Sequence, residues 1–149
     1  MSSKVPNIIY YRDGYKYQLT KTYRIKTAVT GYEIDTPYIR LLYNGSLYIN
    51  WAYAWDGPSG PTYDSKNSLR ASLVHDAFYS LLRKGLLPPK IRIIADKELD
   101  RILKEDGMWA VRRWYWLRGV RWFAGTAAST DSGLLLILIT PHILHYITL

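Results

Sequence analysis

Between residues 15 and 27 (YKYQLTKTYRIKT) polar and apolar side chains largely alternate, which is the period of a strand with one buried face. Apolar strand-forming runs return at 38–43 (YIRLLY) and 46–53 (SLYINWAY), on either side of Asn44-Gly45. Both of those turn residues tolerate positive φ, so the pair predicts a hairpin. The first third therefore predicts a small antiparallel sheet. The stretch WDGPSGPTYD (55–64) breaks regular structure with glycine, serine and proline. After it the apolar positions follow a helical period. A first helix is expected over about 65–84, with Asp64 and Ser65 as N-cap candidates and Gly85 as its stop. Pro88-Pro89 open a second over about 90–106, which Gly107 ends. A third, about 108–124 (MWAVRRWYWLRGVRWFA), closes near Gly125.

Residues 126–133 (TAASTDSG) read as a polar linker, and LLLILITPHILHYITL follows. A membrane-crossing helix needs ~20 apolar residues. This segment has sixteen, interrupted by Pro141 and two histidines, so a buried strand on the N-terminal sheet is expected, or a surface that a partner subunit covers. No internal repeat is found. The expected fold is a single α+β domain over 1–149, an antiparallel sheet followed by a three-helix unit. Its parts are a β-rich region (1–53), a Gly/Pro loop (54–64), a helical core (65–125) and a linker with the apolar C-terminal segment (126–149).

Composition and charge narrow this picture. A hydrophobic fraction of 48% over 149 residues excludes a disordered chain and allows one real core. With no cysteine there is neither a disulfide framework nor a thiolate metal site. The N-terminus lacks the apolar run of a signal peptide, so no Sec export is expected. A net charge of +8 suits a polyanion or an anionic membrane surface. Aromatic usage is skewed to 14 Tyr and 6 Trp against 2 Phe. Such side chains have a wet end and an apolar one, and serve half-buried strands or interfaces.

The candidate chemistry lies in the helical region. Ser65 to Tyr79 is mostly apolar but carries His75-Asp76, and Asp96 follows on the apolar side of the second helix. A charge at a core position is costly unless paired. Residues four apart on a helix share a face, so His75 and Tyr79 point together while Asp76 turns about 100° away. The loop at 85–89 is short, which predicts an antiparallel helix pair with Asp96 facing His75. A carboxylate on one imidazole nitrogen fixes the tautomer and leaves the other free to take a proton from water. Asp76 could hold a hard cation with loop carbonyls. The same residues also suit a buried network that only orients two helices.

These residues resemble the phospholipase A2 superfamily, particularly its short prokaryotic members. There a Gly-rich calcium loop precedes a helix with H-D-x-x-Y, and an antiparallel helix carries the aspartate that orients the histidine. The resemblance rests here on Trp55-Asp56-Gly57-Pro58-Ser59-Gly60-Pro61, on His75-Asp76-Ala77-Phe78-Tyr79 and on Ala95-Asp96. It implies His75 as base, Asp96 as its orienting partner, Tyr79 as a hydrogen-bond donor to Asp96, and calcium held by Asp76 with Asp56, Gly57 and Gly60. The chain departs from the family in lacking its disulfides and usual loop glycine spacing. Pro58 also removes an amide that could face an oxyanion. Over about 45–125 the chain also resembles a family of small uncharacterised proteins of tailed bacteriophages. The shared progression is a D-G-x-S-x-P-like loop (Asp56 to Pro61), L-x-H-D-x-x-Y (Leu73 to Tyr79), an A-D helix, and a helix with spaced Arg and Tyr (Arg112 to Gly125).

The resemblances imply a phage-encoded hydrolase cleaving acyl esters, with an anionic membrane or phospholipid as partner and the host cytoplasm as location. The competing expectation is a non-catalytic virion, tail or assembly protein that contacts other virion proteins. Nucleic acid is not favoured. The third helix interleaves Trp109, Trp114, Tyr115, Trp116 and Trp122 with Arg112, Arg113, Arg118 and Arg121, but its aromatics lie on every side, which indicates packing. Its arginines are expected to meet Asp100, Glu105 or Asp106. His142 and His145, spaced i and i+3, are a weak metal pair. The charged run at 90–100 reads as a solvated helix face.

Overall fold

A computed structural model describes residues 9–12, 17–58, 66–110, 112–113 and 117–118. Antiparallel strands come first and helices follow, so the chain has the expected α+β architecture. Strands β1 (Tyr11–Arg12), β2 (Tyr17–Leu19), β3 (Tyr23–Lys26), β4 (Ile34–Asp35), β5 (Ile39–Leu41), β6 (Ser46–Ile49) and β7 (Ala54–Trp55) precede α1 (Lys66–Arg83) and α2 (Ile91–Glu105).

The strands form two sheets, ordered β1-β2-β7 and β3-β6-β5-β4. The expected hairpin is present: β5 pairs antiparallel with β6, Leu41 opposite Leu47. Its loop is one residue longer than Asn-Gly alone, because the Leu42 N–H closes onto the Ser46 carbonyl. Only Gly45 adopts positive φ there, at 85°. The alternation across 15–27, in contrast, is not one strand. The chain turns at residues 20–22, so that β2 joins β7 and β3 joins β6.

Both helices stop by the same device. Gly85 and Gly107 sit in the left-handed region at φ 68° and 78°. At each, the following N–H reaches back five residues, Leu86 to Leu81 and Met108 to Leu103, and the glycine N–H reaches back three. These bonds satisfy carbonyls that a helix end leaves open, and only glycine adopts the conformation without strain. Of the expected third helix, Ala110, Arg112, Arg113, Leu117 and Arg118 are helical and the remainder lies outside the described residues. The described residues thus contain two complete helices, not a demonstrated three-helix unit. None of their helices is long and apolar enough to cross a membrane. The linker and apolar C-terminal segment also lie outside them.

One core joins the layers. Ile25, Ile39, Leu41, Leu47 and Ile49 from the larger sheet and Trp55 from the smaller are buried with Leu73, Val74, Phe78 and Leu81 of α1 and Leu99, Ile102 and Leu103 of α2. Burial of side chains this size contributes about 1.5–3 kcal/mol each. Trp55 also donates its indole N–H to Ser72 Oγ at 3.1 Å, which ties β7 to α1.

Candidate functional site

The helix pair is antiparallel, because contacts between α1 and α2 run in opposite sequence directions. Arg70 meets Glu105, His75 meets Asp96, and Tyr79 meets Arg92. The short connection and the apolar stripes Leu73–Ala77–Leu81 and Ala95–Leu99–Ile102 bring the pair together. Polar residues that interrupt those stripes must then find partners across the seam.

His75 and Asp96 do so. Nε2 of His75 lies 3.0 Å from Asp96 Oδ1, with their side chains 15% and 6% exposed. The Tyr79 hydroxyl donates to the same oxygen at 3.0 Å. Arg92 Nε in turn donates to the Tyr79 oxygen at 3.2 Å. Arginine only donates, and a phenol has one proton, so Tyr79 must send that proton to Asp96. Burial and the adjoining Asp96 carboxylate push the Tyr79 hydroxyl up to about 12, which keeps it a donor. An ionised Asp96 only accepts, so Nε2 carries the imidazole proton whenever His75 is neutral. Among the described residues only Nε2 of the ring is hydrogen-bonded, and Nδ1 keeps its lone pair. The Tyr79 ring lies 4.2 Å from the imidazole and tilted by 34°, a side wall that restricts its rotation.

Asp76 turns away from this trio, as helix geometry requires, and meets the sheet. Tyr53 donates its hydroxyl to Asp76 Oδ2 at 2.5 Å, and Arg83 stands 3.9 Å from the other oxygen. Burial, with the Asp76 carboxylate next to it, raises the Tyr53 hydroxyl far above its ordinary value. Asp56 is exposed just after β7, and Gly57 follows it with φ 81°. Gly60 lies outside the described residues. Calcium requires six to eight oxygens around it. No group of three His, Cys, Asp or Glu side chains that could hold a metal gathers among the described residues. Gly60, one of the loop residues that would supply carbonyls to the ion, is not among the described donors.

Two polar clusters that the sequence reading missed flank the site. Arg70, 4% exposed, forks onto Glu105 and Asp106 at 2.9 and 2.8 Å and reaches the Tyr23 hydroxyl at 3.2 Å. Burial disfavours its charge, but its two carboxylates outweigh that and hold it protonated. Glu98 accepts the Ala28 backbone N–H at 3.0 Å and a hydrogen bond from Arg101. Glu98 corrects the reading of 90–100 as a solvated face: it is buried and joins α2 to the loop after β3. Arg113 pairs with Asp100 at 2.5 Å, one of the partners expected for the third helix. Glu105 is taken by Arg70 and Arg101, and Asp106 by Arg70. The only sequence signal for these clusters was the arginine between apolar Leu69 and Ala71.

Comparisons with protein-family models, curated proteins and solved structures find no match to this chain.

Proposed function

We propose that this chain is a phage-encoded, phospholipase A2-like hydrolase in which His75 activates water for cleavage of an acyl ester. The observation that carries the reading is the one-sided engagement of His75, with Nε2 on Asp96 and Nδ1 unengaged among the described residues. In this reading Nδ1 takes a proton from water as the water oxygen attacks the ester carbonyl carbon. The Asp96 carboxylate stabilises the imidazolium that forms, and Tyr79 keeps Asp96 in place. When the tetrahedral intermediate collapses, the imidazolium returns the proton to the departing alkoxide. The products are a carboxylic acid and an alcohol, and His75 is restored.

A second reading, a non-catalytic virion or tail protein, is favoured by one observation. Asp76 is bound to Tyr53 and faces Arg83, so the His-Asp helix is tied into the sheet as a structural network would be.

His75→Asn separates the two. As a general base its loss should lower ester hydrolysis by about 10²–10⁴-fold. Stability should change by no more than ~1–2 kcal/mol, since Asn keeps one hydrogen bond to Asp96. Destabilisation of ~3 kcal/mol or more, with no ester cleaved by the wild type, would favour the network reading. Melting with and without millimolar calcium completes the test: a rise in Tm that Asp76→Asn removes would bring calcium into the site. Mass spectrometry of purified phage particles tests the second reading directly, because a virion protein is present in stoichiometric amount.

A further inference from the structure

Three of the large hydrophobic side chains exposed on the described surface, Tyr10, Tyr38 and Trp51, stand on segments whose backbones meet at one corner of the sheets. Backbone bonds assemble it. The Thr20 N–H binds the Tyr10 carbonyl, the Ala52 N–H the Leu19 carbonyl, and the Asn50 N–H the Tyr38 carbonyl. The Trp51 N–H binds Thr22 Oγ1. Turn 50–53 is thereby pinned against turn 19–22 and the start of β5. Ala52 holds φ at 69°, a conformation costly for a residue with a Cβ. The turn sends Trp51 outward, 67% exposed, and Tyr53 inward to Asp76, the neighbour of His75.

The corner is cationic. The described stretches that build it, 9–12, 17–24, 37–40 and 48–54, contain Arg12, Lys21, Arg24 and Arg40 and no Asp or Glu, and of these cations only Arg40 stands opposite an acid, Asp35 across the β4–β5 pair. Two of these cations lie over aromatic faces, Lys21 over Tyr10 at 4.2 Å and Arg24 over Tyr48 at 5.3 Å. A single-stranded nucleic acid binds such surfaces by stacking bases on open ring faces. Here a cation already occupies those two faces, while the Tyr10 and Tyr38 side chains and the Trp51 indole stay half or more exposed. Amphipathic aromatics presented beside Lys and Arg match the headgroup layer of an anionic bilayer, where rings reach the acyl boundary and cations meet phosphate.

We propose that Trp51, Tyr10 and Tyr38, with Lys21 and Arg24, form a surface that docks this protein on an anionic phospholipid bilayer. Only the purpose of the contact rests on the hydrolytic reading, which the surface would supply with substrate.

The test is co-sedimentation of the full chain with ether-linked vesicles, either pure phosphatidylcholine or phosphatidylcholine mixed with phosphatidylglycerol. Ether lipids have no acyl ester, so binding succeeds or fails independently of hydrolysis. Binding is expected on the mixed vesicles and not on the neutral ones, and it should weaken with salt. Each cation near an anionic surface is worth roughly fivefold in affinity, so Lys21→Glu with Arg24→Glu should weaken binding by more than tenfold. Trp51→Ala should weaken it by about fivefold, for loss of the apolar anchor. Both changes are at exposed positions, and unchanged melting checks the fold. Absence of binding, equal binding to neutral vesicles, or variants that bind like the wild type would overturn the proposal. So would Trp51-dependent binding of a single-stranded oligonucleotide tighter than that of the vesicles.

Discussion

Arg70 and His75 stand five residues apart on α1, and each meets acid on or just after α2, yet the two clusters are bonded differently. Around Arg70 the guanidinium is forked across Glu105 and Asp106 and also touches Tyr23, deep under the surface. Around His75 one carboxylate oxygen gathers two donors, while the second ring nitrogen has no partner among the described residues. A closed network fixes how two helices and a strand sit. A network with one lone pair left over can accept a proton. Burial and charge are common to both clusters, so it is the unspent lone pair on His75 that singles out the candidate site.

The sharpest way to break the comparison is at the closed end. Arg70→Met keeps much of the side-chain volume but strands two carboxylates that no longer have their central cation. It should cost about 3–5 kcal/mol in urea unfolding, the usual penalty for removing one member of a buried ion network. Ester hydrolysis per folded molecule should stay the same. A loss of activity greater than the loss of folded protein would show that the two clusters are coupled.

At the open end the effects should invert. Asp96→Asn leaves an acceptor for Tyr79 but replaces the carboxylate that stabilises the imidazolium and fixes its tautomer. Hydrolysis should fall by ~10²–10⁴-fold. Stability should move by only about 1 kcal/mol, which a melting curve can resolve. If the stability cost matched that of Arg70→Met, both clusters would be structural.

The sequence made the open end legible and hid the closed one, for a physical reason. The H-D-x-x-Y spacing, Gly85, Pro88-Pro89 and Gly107 are local signals, and they place His75, Tyr79 and Asp96 on facing helices with little ambiguity. The Asn44-Gly45 hairpin was readable on the same ground. The partition of the strands into two sheets was not, since the turn at 20–22 separates two pairings made with distant segments. Arg70 bonds to groups 35 and 36 residues away, and Tyr53 to one 23 residues away. Glu98 looked solvated because its partner is a backbone amide 70 residues off. Such bonds leave no periodicity to read.

Tyr53 tests whether Asp76 belongs with the closed cluster or the open one. Tyr53→Phe removes the donor from a carboxylate that is still partly hydrated. A cost of ~1–2 kcal/mol is expected, at the low end for a hydrogen bond to a charged group. A calcium-dependent gain in Tm appearing only in Tyr53→Phe would mean that the phenol occupies the position a cation would otherwise take.

The smallest expected effect is also the most direct reading of the closed cluster's charge. Burial pulls Glu105 upward, but Arg70 and Arg101 together hold its carboxyl below its ordinary 4.5. A carboxylate whose folded value is depressed binds protons more readily in the unfolded chain. Its contribution to stability is therefore present above about pH 4.5 and is lost as pH falls through the folded value. Glu105 is a third exposed, so water screens the pair and the contribution should be only ~0.5–1 kcal/mol. Comparing urea midpoints of wild type and Glu105→Gln, the two should differ at pH 7 and converge in acid. Parallel curves would mean that Asp106 alone balances Arg70, and that the second carboxylate serves geometry more than charge.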